Sequence, residues 1–176
     1  MTILIIILIL ISIPFILALF MPEEYLIEKQ VTINKPRQVV FDYIKLLRNS
    51  ENYNKWVMMD PNMKKEFRGT DGTVGFVYTW NSTNRNVGQG EQEIIKLADG
   101  QRVDYEIRFI RPFQGTSYAW LMTESISPNQ TMVNWSFRGM RNYPMKVMHK
   151  VLNLKRMLGR DLQTSLHNLK AVLEKQ

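Results

Sequence analysis

The chain has no cysteine and only two histidines in 176 residues. The first absence excludes disulfide frameworks, thiolate zinc sites, iron–sulfur clusters and cysteine nucleophiles together. The second leaves little material for a histidine-based metal site. His149 and His167 also stand 18 residues apart in one helical pattern, on the side away from its leucines. A Gly-x-Ser-x-Gly elbow is missing as well. The glycines of 69–75 and of Gly88-Gln89-Gly90 fall between strand-like runs, with no helix N-terminus behind them to receive a phosphate. No metal, no cofactor and no catalytic residue is therefore expected.

Acidic residues are scarce in one place only. Residues 23–137 carry 14 Lys+Arg and 14 Asp+Glu, whereas residues 138–176 carry nine basic residues and two acidic ones. The net charge of +7 thus belongs to the C-terminal element, which calls for an anionic neighbour or serves as a solvated face.

Charge is absent altogether from residues 3–21, ILIIILILISIPFILALFM. At about 1.5 Å per residue such a run reaches roughly 30 Å, the thickness of a bilayer core. No basic residue precedes it, and Ala18-Leu19-Phe20-Met21 lacks the small residues of a signal-peptide cleavage site. The expectation is an uncleaved transmembrane anchor over residues 1–22 followed by one domain over 23–176. Lys29, Lys35 and Arg37 follow the run, which predicts a single-pass membrane protein with its domain on the cytoplasmic side.

After that segment, Tyr25–Ile33 alternates as a strand. Asn34-Lys35-Pro36 opens a helix striped by Val40, Ile44 and Leu47, and a second short helical piece covers Ser50–Val57. From Lys64 to Arg138 six strand-like runs are separated by turn chemistry: Lys64–Arg68, Val74–Asn81, Gly88–Leu97, Arg102–Ile110, Gln114–Ser127 and Thr131–Arg138. Short connections of this kind make an antiparallel meander. Large apolar residues share strand faces: Val74, Phe76, Tyr78 and Trp80; Val103, Tyr105, Ile107 and Phe109; Tyr118, Trp120 and Met122; Val133, Trp135 and Phe137. The final element, about Pro144–Glu174, reads as one helix of about 30 residues. Its stripe is Met148, Val151, Leu158, Leu162, Leu166, Leu169 and Leu173. The predicted fold class is α+β: a curved seven-stranded antiparallel sheet wrapped on a long C-terminal helix, with two short helices after the first strand and an N-terminal transmembrane helix.

That order of elements resembles the helix-grip superfamily (START-like, pollen-allergen-like), and the local sequence is similar to its polyketide cyclase/dehydrase-type branch. The residues concerned are Val31-Thr32-Ile33-Asn34-Lys35-Pro36 with Val39-Val40-Phe41-Asp42-Tyr43-Ile44, and Gly69-Thr70-Asp71-Gly72-Thr73-Val74-Gly75 leading to Trp80. Gly88-Gln89-Gly90-Glu91-Gln92, Gly159-Arg160-Asp161-Leu162 and Leu166-His167-Asn168-Leu169-Lys170 complete the set, over about residues 23–175. The anchor resembles a membrane-tethered subset. The resemblance implies an internal cavity between sheet and helix.

The expected function is binding of a hydrophobic small molecule or lipid in that cavity by a membrane-tethered domain. Two alternatives stay open: a cyclase/dehydrase-type enzyme acting in the same cavity, and a protein-interaction module using the basic C-terminal helix. The membrane is expected as a partner through the anchor and through Arg141, Lys146, Lys150, Arg156 and Arg160, and nucleic acid is not. Candidate ligand-binding residues are Phe76, Tyr78, Trp80, Tyr105, Ile107, Phe109, Tyr118, Trp120, Trp135, Phe137, Met148, Leu158 and Leu162. Glu124 joins them because it shares a strand face with Trp120, and Lys155 because its helical phase centres it in the leucine arc.

Overall fold

Period-two alternation is realised as seven strands: β1 (Glu24–Ile33), β2 (Lys64–Arg68), β3 (Val77–Asn81), β4 (Gln89–Ala98), β5 (Arg102–Arg111), β6 (Gly115–Ser127) and β7 (Gln130–Met140). They are seen in a computed structural model that describes residues 22–140 and 153–175, with Ile3, Ser12, Ile13, residues 15–20 and Lys146. The strands form one antiparallel sheet in the order β1-β7-β6-β5-β4-β3-β2. The first strand therefore lies beside the last, with Ile27 opposite Phe137 and Val31 opposite Val133.

Helix α1 (Arg37–Ile44) and a 3₁₀ turn (Leu47–Asn52) follow β1, and then the single turn α2 (Lys55–Met58). Val40, Phe41 and Ile44 bury one face of α1, which packs on β6 and β7. The Gly-rich segment before β3 anchors the 3₁₀ turn: the Asp71 carboxylate accepts from the backbone N–H groups of Leu47 (2.8 Å) and Arg48 (3.1 Å). Its role is that of a cap, satisfying donors that a helix start leaves without intrahelical partners.

Helix α3 (Leu154–Lys175) lies chiefly along β1. Leu162, Leu166, Leu169 and Leu173 are each at most 1% exposed, and burial of each stabilises the fold by about 1.5–3 kcal/mol. The helix is shorter than its leucine pattern predicts. Asn153 adopts a left-handed φ of 47°, a conformation Asn tolerates but a helix interior does not. Its carbonyl accepts the first helical N–H groups, from Arg156 and Met157. Met148 and Val151, predicted on the same stripe, lie outside the described residues.

The transmembrane reading is corrected. Among the described residues no helix is long and apolar enough to cross a membrane, so the single-pass localisation does not stand. Ile3, Ser12, Ile13 and residues 15–19 are helical, while 1, 2, 4–11, 14 and 21 lie outside the described residues. Ala18 is fully buried. The basic surface expected of the C-terminal element is also reduced, since Lys146 is buried, with its Nζ 3.8 Å from the Glu23 carboxylate. Arg141 and Lys150 lie outside the described residues.

The second correction concerns β6. Ser117, Ala119, Leu121 and Thr123 are its buried residues, so Tyr118, Trp120 and Met122 occupy the outer face. Cross-strand arginines cover those rings: the Arg102 guanidinium stands 4.9 Å from the Trp120 centroid, and that of Arg138 lies 5.6 Å from Tyr118. Stacked guanidinium groups let large aromatics face water at little cost. Val74, expected inside, is exposed in the turn before β3.

Candidate ligand cavity

Small inward residues on β6 and large ones on its neighbours leave space unfilled. α3 covers the β1 side of the concave face and α1 lies over β6 and β7. The space beneath α2 and the start of α3 remains as a cavity of about 240 Å³. Its wall comes from Tyr78 and Trp80 on β3, Gln92 on β4, Ile107 and Phe109 on β5, Ala119 on β6, and Trp135 and Phe137 on β7. Leu158 and Leu162 of α3 close one side. Asn54, Trp56, Val57 and Met63 from the α2 region, with Asn86 and Val87 from the β3–β4 loop, complete the rim.

Each rim element is held in place by identifiable bonds. Asn54 caps α2, its Oδ1 accepting the Trp56 N–H at 3.0 Å. The Lys55 N–H donates to Ser165 Oγ at 2.9 Å, and the Lys55 ammonium pairs with Asp161, so α2 is clamped to α3 from two sides. Across the mouth, Ser82 Oγ donates to Asp60 Oδ2 (2.5 Å) and accepts the Asn84 N–H (2.9 Å). Trp80 Nε1 donates to the Val87 carbonyl at 3.2 Å, which ties the loop to the cavity wall.

The aromatic lining is arranged as neighbouring rings. Tyr78 and Trp80 have centroids 5.9 Å apart, and Phe109 meets Trp80 edge-on at 6.2 Å. Trp135 packs edge-on against Tyr53 at 6.1 Å. No Asp, Glu, Lys or Arg lines the cavity among the described residues. Burial, and then the Glu51 carboxylate, push the Tyr78 hydroxyl well above the usual phenol range, so it stays a neutral O–H.

Eight of the residues singled out in the sequence meet here: Tyr78, Trp80, Ile107, Phe109, Trp135, Phe137, Leu158 and Leu162. Others lie elsewhere. Phe76 is core, stacked on Phe67 at 6.1 Å, and the Tyr105 hydroxyl donates to the Ile44 carbonyl at 3.2 Å beneath α1. Tyr118 and Trp120 stand on the outer face, and Glu124 is exposed there. Lys155 is exposed in the first turn of α3, and Met148 lies outside the described residues. Periodicity did not reveal Asn54, Trp56, Val57, Met63, Asn86, Val87, Gln92 or Ala119. Ala119 carried a signal all the same, a small residue flanked by two large rings.

With the geometry in view, comparison with known families is direct. The family profile "Polyketide cyclase / dehydrase and lipid transport" matches residues 26–174, and the chain belongs to that family. Solved structures with the same fold include norcoclaurine synthase from Thalictrum flavum in complex with dopamine and hydroxybenzaldehyde. It is 12% identical at a TM-score of 0.63, over 87% of this chain and 88% of that one. A protein of Mesorhizobium loti is 13% identical at a TM-score of 0.63, over 86% and 98%. One of Chromobacterium violaceum is 15% identical at 0.58, over 88% and 99%. Among curated protein sequences none matches the chain. The helix-grip fold is thus shared, and its family is one associated with binding hydrophobic small molecules.

Proposed function

We propose that this domain binds a small apolar molecule in the cavity between β3–β7, α2 and α3. The observation that carries the reading is the cavity itself: about 240 Å³, walled by aromatic and aliphatic side chains and free of charged residues among those described. Close packing is the rule in protein interiors, so a space of this size beside the core is room that a ligand can take. An apolar cavity of roughly 150 Å³ accommodates benzene, so this one is suited to about two fused rings. The complex of norcoclaurine synthase with dopamine and hydroxybenzaldehyde, each a single-ring compound, supports the reading that such a fold accepts small aromatic molecules.

Ala119 provides the test, because a larger side chain there enters the cavity while the sheet backbone is unchanged. Indane, an uncharged bicycle, is titrated into the protein while tryptophan fluorescence is followed, since Trp56, Trp80 and Trp135 line the site. A saturable spectral shift in the wild type that is lost in Ala119→Phe, with the thermal midpoint retained, is the expected result. A response that survives Ala119→Phe, or no saturable response at all, overturns the proposal.

A further inference from the structure

The sheet contributes one carboxamide to the cavity wall. Gln92 stands on β4 with Tyr78 opposite it on β3 and Ile107 opposite it on β5, and all three line the cavity. Glu91 and Glu93 on either side turn outward to Arg108. Strand alternation therefore turns Gln92 inward, between Gly90 and the fully buried Ile94.

The Gln92 amide has no hydrogen-bond partner among the described residues, and it is not sealed off. The side-chain polar atoms that are both sealed and unpaired among those residues are the Tyr78 hydroxyl and Trp135 Nε1. Gln92 is only partly buried, and its amide keeps accessible surface on the cavity side. The amides of the rim differ from it. Asn54 has committed its Oδ1 to the Trp56 N–H, and Asn86 is exposed in the β3–β4 loop, where water can serve it.

A carboxamide offers an acceptor and a donor side by side. A hydrocarbon guest covers both and pairs neither, and a ketone pairs only the N–H. Covering a polar group without a partner is unfavourable, so a site holding one discriminates against guests that lack its complement. A C=O and an N–H on one edge of a guest, as in a lactam, meet both at once. No Asp, Glu, Lys or Arg lines the cavity among the described residues, so an ionised guest would lose its hydration and meet no counter-ion.

We infer that the cavity takes a neutral ring compound with a lactam-type edge, which the Gln92 carboxamide reads through a pair of parallel hydrogen bonds. The inference rests on the binding function proposed above and names its ligand class, setting lactams apart from hydrocarbons, simple ketones and ionised acids or amines.

Three bicycles of one shape test it. Indane has no polar group, 2-indanone has a carbonyl, and oxindole replaces one CH₂ beside that carbonyl with N–H. Affinities are measured by NMR titration of isotopically labelled protein, following the side-chain amide signal of Gln92 assigned by through-bond correlation. Oxindole is expected to bind about tenfold more tightly than 2-indanone, the net gain of one hydrogen bond, and to move the Gln92 signal. Gln92→Met and Gln92→Leu remove the amide and keep an apolar side chain of similar size. In both, the ratio of oxindole to 2-indanone affinity should fall to about one, and indane should bind more tightly, since it no longer covers an unpaired amide. Equal affinity for oxindole and 2-indanone in the wild type overturns the inference and leaves the cavity's binding function standing. So does a Gln92 signal that oxindole leaves in place, or a preference that survives both variants. The wild-type ratio and the Gln92 signal decide even where a variant does not fold. Failure of all three compounds to bind removes both readings.

Discussion

The indole of Trp80 lies against the bare Cα of Gly90, its partner residue across β3 and β4. A Cβ at Gly90 would stand 2.6 Å from Trp80 Cζ2 and 2.6 Å from the Arg108 carbonyl oxygen. The missing side chain thus gives the ring its place in the cavity wall, where Nε1 holds the Val87 carbonyl. Gly90→Ala should force the ring or the strand to move, at an overpacking cost of about 1–3 kcal/mol. In a domain of this size that corresponds to a fall in Tm of roughly 3–10 °C. Tryptophan emission should change with it. A variant with the wild-type Tm and spectrum would show that the contact is not constraining.

On the outer face, Arg108 is the centre of a three-carboxylate cluster. Its guanidinium meets Glu91 (2.5 Å), Glu93 (2.7 Å) and Glu106 (2.5 Å), and these hydrogen bonds hold it even more firmly protonated than an ordinary arginine. Arg108→Met keeps the stem and leaves three like charges on adjacent strands, facing one another across the β4–β5 ladder. A loss of about 1–2 kcal/mol at neutral pH is expected, since the groups are partly solvated. The loss should shrink at high salt and at acidic pH, where repulsion is screened or neutralised. Urea titrations at two salt concentrations check it, and a salt-independent deficit would attribute the loss to packing instead.

How legible the fold was depended on whether one face of an element was unambiguous. β5 alternates Val103, Tyr105, Ile107 and Phe109 with Asp104, Glu106 and Arg108, and its inward face follows from that contrast alone. β6 carries apolar residues on both faces, and size misleads there. Tyr118 and Trp120 look like core, but Arg138 directly opposite on β7 and Arg102 diagonally across on β5 cover them, and Ala119 and Leu121 go inside. The guanidinium stacking joins residues about 18 positions apart, so no local period reports it. The rim residues Asn54, Asn86 and Val87 sit at a helix cap and in a loop, where there is no period to read. The break at Asn153 was obscured for a related reason: leucine spacing continues past it while the backbone does not.

Lys155 illustrates the limit of helical phase. It shares the arc of Leu158 and Leu162, yet it falls in the first turn of α3, one turn ahead of the first residue to reach the cavity, and is exposed. Lys155→Met should therefore change stability by no more than about 0.5 kcal/mol, the range of ordinary surface substitutions. Affinity for indane should be unaltered. A marked change in either quantity would bring the ammonium group back into the site.

The end of β1 and the last turn of α3 meet at a single carboxylate. Glu174, in the last turn of α3, accepts the backbone N–H of Asn34 at 2.7 Å, and the Lys170 ammonium lies 3.3 Å from the same oxygen while donating to the Thr32 carbonyl at 2.6 Å. The Asn34 hydrogen bond foremost, with Lys170 adding to it, holds the Glu174 carboxyl below its ordinary value of 4.5. A folded-state pKa lower than the unfolded one means that the unfolded chain binds the proton more readily. The stabilisation is complete above the unfolded value and is lost as pH falls through the lower folded value. Glu174→Ala should lower Tm at neutral pH, with the difference from wild type closing in the acid range below 4.5. Glu174→Gln keeps an acceptor for the Asn34 N–H and removes only the charge, so its deficit should be the smaller of the two. Thermal melts across that pH range decide it. A Glu174→Ala deficit that persists undiminished into acid would mean that the side chain contributes by packing, and that the carboxylate does not tie α3 to the end of β1.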